Sequence, residues 1–246
     1  MSACARHIPP YPPLYYTMKH KTLITLANLV IVLVLVALAV TVTFASRTEA
    51  AFAPVRQGTA HDTVALTFNV YIGDQYVREI VEVLRTYSIP ATFFLGGSYA
   101  VKHPETCQIL VQNGLCVGSH GYSHLDHGSL DYAANVKELN KAKHAIKEVC
   151  GVDVTLFAPP SGAYNAAALK AAEDLGYTVV MWSKDAIDWR DQDEQIIFER
   201  TTRDKQSGDI ILMHPTAATV AALPRVIESY LSSGFRFITI EDLIAA

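Results

Sequence analysis

Apolar positions along this chain fall into three patterns. From Thr22 to Ala45 no charge interrupts the sequence, and Leu29 to Val40 is an unbroken apolar run. A helix of that length reaches across the hydrocarbon core of a bilayer. A cleaved signal peptide is the competing reading, with Thr43-Phe44-Ala45 ending the cleavage site. The length of the run and the polar-aromatic leader before it favour an uncleaved anchor.

The second pattern is a series of short strand-like runs at Thr63–Phe68, Ala91–Leu95, Leu115–Gly118, Val154–Phe157, Tyr177–Trp182, Asp209–Met213 and Phe235–Ile240. The third lies between them, where apolar residues recur at helical spacing. Val77, Ile80, Val81 and Leu84 form one stripe. Leu130, Ala133, Val136 and Leu139 start another, and Val220, Leu223, Val226 and Ile227 mark a third. Strands alternating with helices predict a mostly parallel sheet with helices outside it. Periodicity does not choose between a barrel and a doubly wound sheet. The expected organisation is a disordered leader over 1–21, an anchor over 22–45, a linker over 46–61 and one α/β domain over 62–246.

Charge adds an orientation. Arg6, Lys19 and Lys21 precede the apolar span and no acidic residue does, which places the N-terminus in the cytoplasm and the large domain outside the cell membrane. The chain carries a net charge of −4, of which residues 1–45 hold +3, leaving −7 on the rest. A domain so charged, with no basic run, argues against nucleic-acid binding. Cys107, Cys116 and Cys150 follow the span, without the spacing of a zinc knuckle; buried free thiols are the expectation, with one bridge as the alternative.

Chemistry-bearing residues cluster where the predicted strands end. Asn69 follows Phe68, and His120 and His124 follow Gly118. Pro159, Pro160, Ser161 and Gly162 follow Phe157; Asp185, Asp188 and Trp189 follow Trp182; His214 follows Met213. In parallel α/β folds the C-terminal edge of the sheet is where sites are built. Two histidines four apart suit a divalent cation. Each motif also has a plain reading, as surface histidines, a turn or a helix start, and only their joint order weighs against it.

In this order, Thr67-Phe68-Asn69, His120-x-x-x-His124, Pro159-Pro160-x-Gly162-Ala163-Tyr164-Asn165, Asp185-x-x-Asp188-Trp189 and Leu212-x-His214, the chain resembles the NodB-homology polysaccharide deacetylases, carbohydrate esterase family four. The resemblance covers about residues 61–242, and two segments look most like a branch common in spore-forming Firmicutes. It implies a distorted (β/α) barrel, a divalent metal such as zinc or cobalt, and hydrolysis of acetyl groups on an N-acetylated polysaccharide such as peptidoglycan or chitin. It also implies roles: His120 and His124 as metal ligands, His214 as general acid, Asp188 as its carboxylate partner. Trp189 and Leu212 become walls around the acetyl methyl, and the Pro160-Ser161-Gly162 turn supplies a backbone donor to the oxyanion.

The departures are concentrated in one place. The family's first motif reads Thr-Phe-Asp-Asp, a base and a metal ligand, where this chain has Asn69 and Val70. An amide takes no proton from water near neutral pH, and valine binds no metal. The arginine that orients the base is Ala158 here. Asp74 is the first candidate for both missing roles, with Asp126 and His127 behind it; a helix N-cap is the plain reading of Asp74. Two functions therefore stand open: a membrane-anchored extracytoplasmic deacetylase with a replaced base, or a pseudoenzyme that binds glycan on the same barrel.

Overall fold

The computed structural model describes residues 23–39 and 53–245, in two units divided after Ala51. In the first, residues 23–39 form helix α1, whose side chains are exposed along its length. Among the described residues no helix is long and apolar enough to cross a membrane. The leader, position 22 and positions 40–45 of the expected span lie outside the described residues.

The second unit runs, in order, through β1 (Thr63–Val70), α2 (Asp74–Tyr87), β2 (Thr92–Leu95), α3 (Gly97–Lys102), α4 (Pro104–Gln112), β3 (Cys116–Ser119) and α5 (Tyr132–Cys150). After β4 (Leu156–Phe157) comes a single 3-10 turn at Pro160–Gly162, then α6 (Ala166–Asp174), β5 (Thr178–Val179), β6 (Lys184–Asp185), α7 (Glu194–Thr202), β7 (Asp209–Met213), α8 (Ala217–Ser232), β8 (Arg236–Phe237) and α9 (Ile240–Ala245). The strands pair in the order β5-β4-β3-β2-β1-β7-β6, all parallel, and β8 pairs with the start of β1. This is the expected barrel-like α/β fold. Between β5 and β6 the hydrogen-bonded order does not close. Part of the segment expected as linker spans that gap: Val55 bridges to Val180 and Gln57 to Asp209.

Two cores follow from strand alternation. Side chains facing out from β1, including Val64, Leu66, Phe68 and Val70, join Val77, Ile80, Val81 and Leu84 of α2 in the larger core beneath the helices. Side chains facing in, such as Ala65, Phe94, Leu156 and Ile210, make a small barrel interior, with Ile240 and Leu243 of α9 packed into it.

Three expectations need correction. The strand expected through Trp182 forms a ladder only over β5, followed by the single bridge from Val180 to Val55, and Lys184 and Asp185 form their own strand against β7. Two polar residues carry no apolar alternation, so nothing in the pattern marks them. The α5 stripe has shifted, because the face that packs inward is Asn135, Glu138, Leu139, Ala142, Ala145 and Ile146. The strand expected to reach Ile240 ends at Phe237, and α9 begins at Ile240. Cys107 and Cys150 are buried free thiols, and Cys116 is half-buried and free.

Candidate functional site

The C-terminal ends of β1, β3, β4, β5, β6 and β7 open on one cavity of about 490 Å³. Asn69, Tyr71, Ile72, His120, His124, Ser161, Trp182, Asp185, Trp189, Gln192, Leu212 and His214 line it, together with Pro215 and Thr216. The structure thus gathers Asn69, both histidines of the spaced pair, Ser161, Trp189, Leu212 and His214 from five separate stretches of sequence. Pro160 is buried and Gly162 packs against Trp182; neither lines the cavity.

His120 continues β3 and is almost wholly buried. Its Nδ1 lies 2.7 Å from the Ala158 carbonyl, which can only accept, so Nδ1 carries the proton. In the neutral ring Nε2 is then a lone pair. Burial pushes the His120 pKa down to about 3 against the pull of that backbone bond, and His124 is also lowered, again first by burial. The two rings sit 5.1 Å apart, edge to face.

On the other side stands the pair from the loops after β6 and β7. Asp188 is fully buried. It accepts from His214 Nδ1 at 2.8 Å, from the His214 backbone N–H at 2.7 Å and from Thr219 Oγ1 at 2.6 Å. Three donors fix the carboxylate, and the carboxylate fixes the tautomer and direction of His214.

Several of these positions are held in unfavourable backbone. His124 (φ 57°), Ser161 (φ 55°) and Ile187 (φ 51°) all adopt left-handed conformations without being glycine. Such geometry costs roughly 1–2 kcal/mol per residue, and is most costly for a β-branched side chain. Three of them next to one cavity mark a shape that the surrounding structure enforces.

Asp74 is a correction. It is the first residue of α2, whose N-cap is Gly73, so it is neither the N-cap nor a cavity wall. Its carboxylate accepts from Tyr99 Oη at 3.0 Å and faces His103 and Arg78 at 3.4 and 3.5 Å. Burial alone would raise this carboxyl, but the Thr106 and Tyr99 hydroxyls and the two neighbouring bases outweigh it and hold it below its ordinary value. Gly73 explains the placement. At φ 87° it turns the chain so closely under Pro215 that a Cβ would lie 2.4 Å from the Pro215 carbonyl oxygen.

The other two candidate ligands are also engaged elsewhere. Asp126 accepts from the Gly128 N–H and from Ser129 Oγ. His127 is fully buried, and its Nδ1 bonds Asn135 Oδ1 at 2.6 Å. Among the described residues no group of three His, Cys, Asp or Glu side chains could hold a metal ion. Position 70 explains why the set stops at two imidazoles. β1 continues through Val70, paired with Leu95, so its side chain turns away from Asn69 into the outer core. A catalytic zinc takes three protein ligands and an open position. The residues present do not fit a resident metal of that kind.

Sequence reasoning missed the second layer of the site. Asn135 Nδ2 donates to the carbonyls of His127, Leu130 and Asp131, and Glu138 accepts from the Ser123 N–H. Both side chains pin the histidine loop to α5. The signal was available, since two polar residues stand in an otherwise apolar helix face. Asn135→Ala should cost about 2 kcal/mol by leaving buried partners unpaired, measured by urea unfolding. A loss below a few tenths of that figure would mean that the loop holds itself.

Comparison with known proteins agrees with this geometry. Residues 56–180 match the family model described as polysaccharide deacetylase. A peptidoglycan-N-acetylglucosamine deacetylase of Bacillus cereus is 30% identical over 194 residues, covering 74% of this chain and 87% of that protein. The uncharacterized protein YlxY of Bacillus subtilis is 30% identical over 181 residues, and there the match spans 74% of this chain but only 57% of the relative. Among solved structures, a family 4 carbohydrate esterase pseudoenzyme from Bacillus anthracis superposes with a TM-score of 0.76 at 32% identity, covering 78% of this chain and 68% of that one. A mutant of that pseudoenzyme, described as having restored enzymatic activity, superposes equally well at 30% identity, covering 78% and 71%.

Proposed function

We propose that this chain, which belongs to the polysaccharide deacetylase family, binds N-acetylated cell-wall glycan of the peptidoglycan or chitin type without deacetylating it. One observation carries the reading. The cavity keeps the Asp188–His214 pair and the apolar walls, while an amide stands where proton abstraction would begin and Asp74 is committed elsewhere.

Each part of an acetamido group has a counterpart in the cavity. Trp189 and Leu212 offer apolar surface to the methyl. His214, oriented by Asp188, turns Nε2 towards the ligand. The Ser161 turn brings backbone to the same wall. Asn69 has no lone pair basic enough to take a proton from water, so water is not activated and the amide bond survives. General-base catalysis is worth about 10²–10⁴ in rate, and its loss alone removes useful turnover.

Binding and turnover are separable by experiment. The purified chain should bind penta-N-acetylchitopentaose by calorimetry, bind the fully deacetylated pentamer at least about tenfold more weakly, and release no acetate. Trp189 is 59% exposed at the mouth, and Trp189→Ala should weaken binding about tenfold, as expected for an aromatic anchor. Steady acetate release that His214→Ala abolishes would overturn the reading in favour of an active deacetylase.

We further place the domain outside the cell membrane, anchored through residues 22–45 with the N-terminus inside. The uncharged apolar run and the three basic residues before it support this. Carbonate-resistant sedimentation of the full chain with membranes, and cleavage of the domain by external protease in intact protoplasts, are the expected results. Recovery in the soluble fraction would remove the anchor.

A further inference from the structure

We infer that the His120–His124 pair works without a metal, and that Tyr71 has taken the space beside it as a sugar-facing wall of the cavity. The Tyr71 part rests on the glycan-binding reading; the metal part does not.

The first line of argument is the route of the chain. A carboxylate ligand at position 70 would have to leave the sheet and turn towards the histidines. Here β1 stays paired through Val70, and strand alternation sends that side chain into the core with Phe68 and Val77. The position has been absorbed into the fold. A carboxylate placed there would be buried among apolar side chains, at a cost that forces the backbone or the protonation state to change.

The second line is Tyr71. Its ring lies 5.0 Å from the His124 ring, tilted by 43°, and it lines the cavity. Behind it Gly96 leaves room that no other residue would: a Cβ there would sit 2.6 Å from Tyr71 Cδ2. The slot is built for the ring, and the ring is fixed against His124. Tyr71, His124 and His120 therefore form one continuous run of ring contacts, the first tilted and the second edge to face. An aromatic face with a hydroxyl at its edge is a surface that sugar rings pack against.

The third line is the hydrogen-bonding character of the floor. The Ala158 carbonyl holds the His120 proton on Nδ1, so Nε2 is an acceptor. Asn69 lines the cavity, and its Oδ1 is buried with no protein partner. Buried acceptors of this kind are satisfied in complexes by a donor. Hydroxyls and an acetamido N–H are donors, and an intact N-acetylhexosamine carries both. A catalytic zinc would instead need a third protein ligand, and among the described residues no third His, Cys, Asp or Glu is placed to complete a site with the two histidines.

The test uses the full chain and two independent readouts. After treatment with chelator and equilibration in micromolar zinc chloride, metal is counted by mass spectrometry in wild type and in the His120→Ala, His124→Ala double variant. Equal zinc content in the two is expected; one equivalent in wild type that the double variant loses overturns the metal-free pair. Calorimetric titration with penta-N-acetylchitopentaose, in chelator and in zinc, should give the same affinity in both. Binding that is about tenfold tighter in zinc would also overturn it. Tyr71→Ala should weaken binding about tenfold while Tyr71→Phe retains it, the pattern of a stacking wall; unchanged binding in Tyr71→Ala removes that role. If the pentamer binds in neither buffer, the glycan reading and the Tyr71 role fall together, and the zinc count still decides the pair.

Discussion

Asp188→Ala is expected to lower the stability of the domain by about 3 kcal/mol and to disable the cavity at the same time. The carboxylate is fully buried and accepts from three donors, His214 Nδ1, the His214 backbone N–H and Thr219 Oγ1. Alanine removes the acceptor of all three, and only Thr219 has another within reach, Thr216 Oγ1 at 2.9 Å. Each unpaired buried donor costs about 1–3 kcal/mol, and His214, which is partly exposed, recovers part of its share from water. For a domain of this size the loss should move the thermal midpoint by about 5–10 °C. Asp188→Asn keeps one acceptor and one wrong-way donor, so it should fall between wild type and Asp188→Ala. Thr219→Val removes a single donor and should cost about 1 kcal/mol. Measured well below its midpoint, Asp188→Ala should also bind N-acetylated oligomer about tenfold more weakly, because His214 is no longer aimed. A folded Asp188→Ala with wild-type stability and affinity would mean that the pair is decoration.

The pair also shows what the sequence makes legible. Asp188 and His214 are 26 positions apart, yet both follow predicted strands, and the rule that sites lie at the C-terminal edge brings them together before any coordinates are known. The same rule places Asn69, His120, His124 and Trp189 correctly on the cavity. It fails for Asp74, because sequence distance from a strand end does not say which way a helix starts. The left-handed Gly73 beneath Pro215 turns α2 so that Asp74 meets Tyr99 and His103 instead. It also fails to see Val70 and Tyr71. The substitution at 70 reads in sequence as a lost ligand; only the register against Leu95 shows that the strand stays paired through it. Tyr71 has no signal of its own, since its slot is made by Gly96 from the next strand end.

Acid should unfold this domain in a way that His120 dominates. In the folded state burial pushes its pKa down to about 3, whereas an unfolded histidine titrates near about 6.5. Above the unfolded value both states hold the ring neutral, and His120 contributes no pH dependence. As pH falls through that value the unfolded chain takes up a proton that the folded one refuses, so stability is lost with each unit down to the folded pKa. Between about pH 6.5 and pH 4 the loss should amount to about 3 kcal/mol from this residue. His124 and His127, both also lowered by burial, act in the same direction. Carboxylates contribute to acid unfolding too, but equally in wild type and in a neutral variant. The informative quantity is therefore the difference between wild type and His120→Gln, followed by urea unfolding in chelator across that range. Their stabilities should converge as pH falls, because the variant has no ring to protonate. Parallel curves would show that His120 is charged or solvated in the native protein. They would also remove the neutral acceptor at Nε2, on which the recognition of sugar hydroxyls depends.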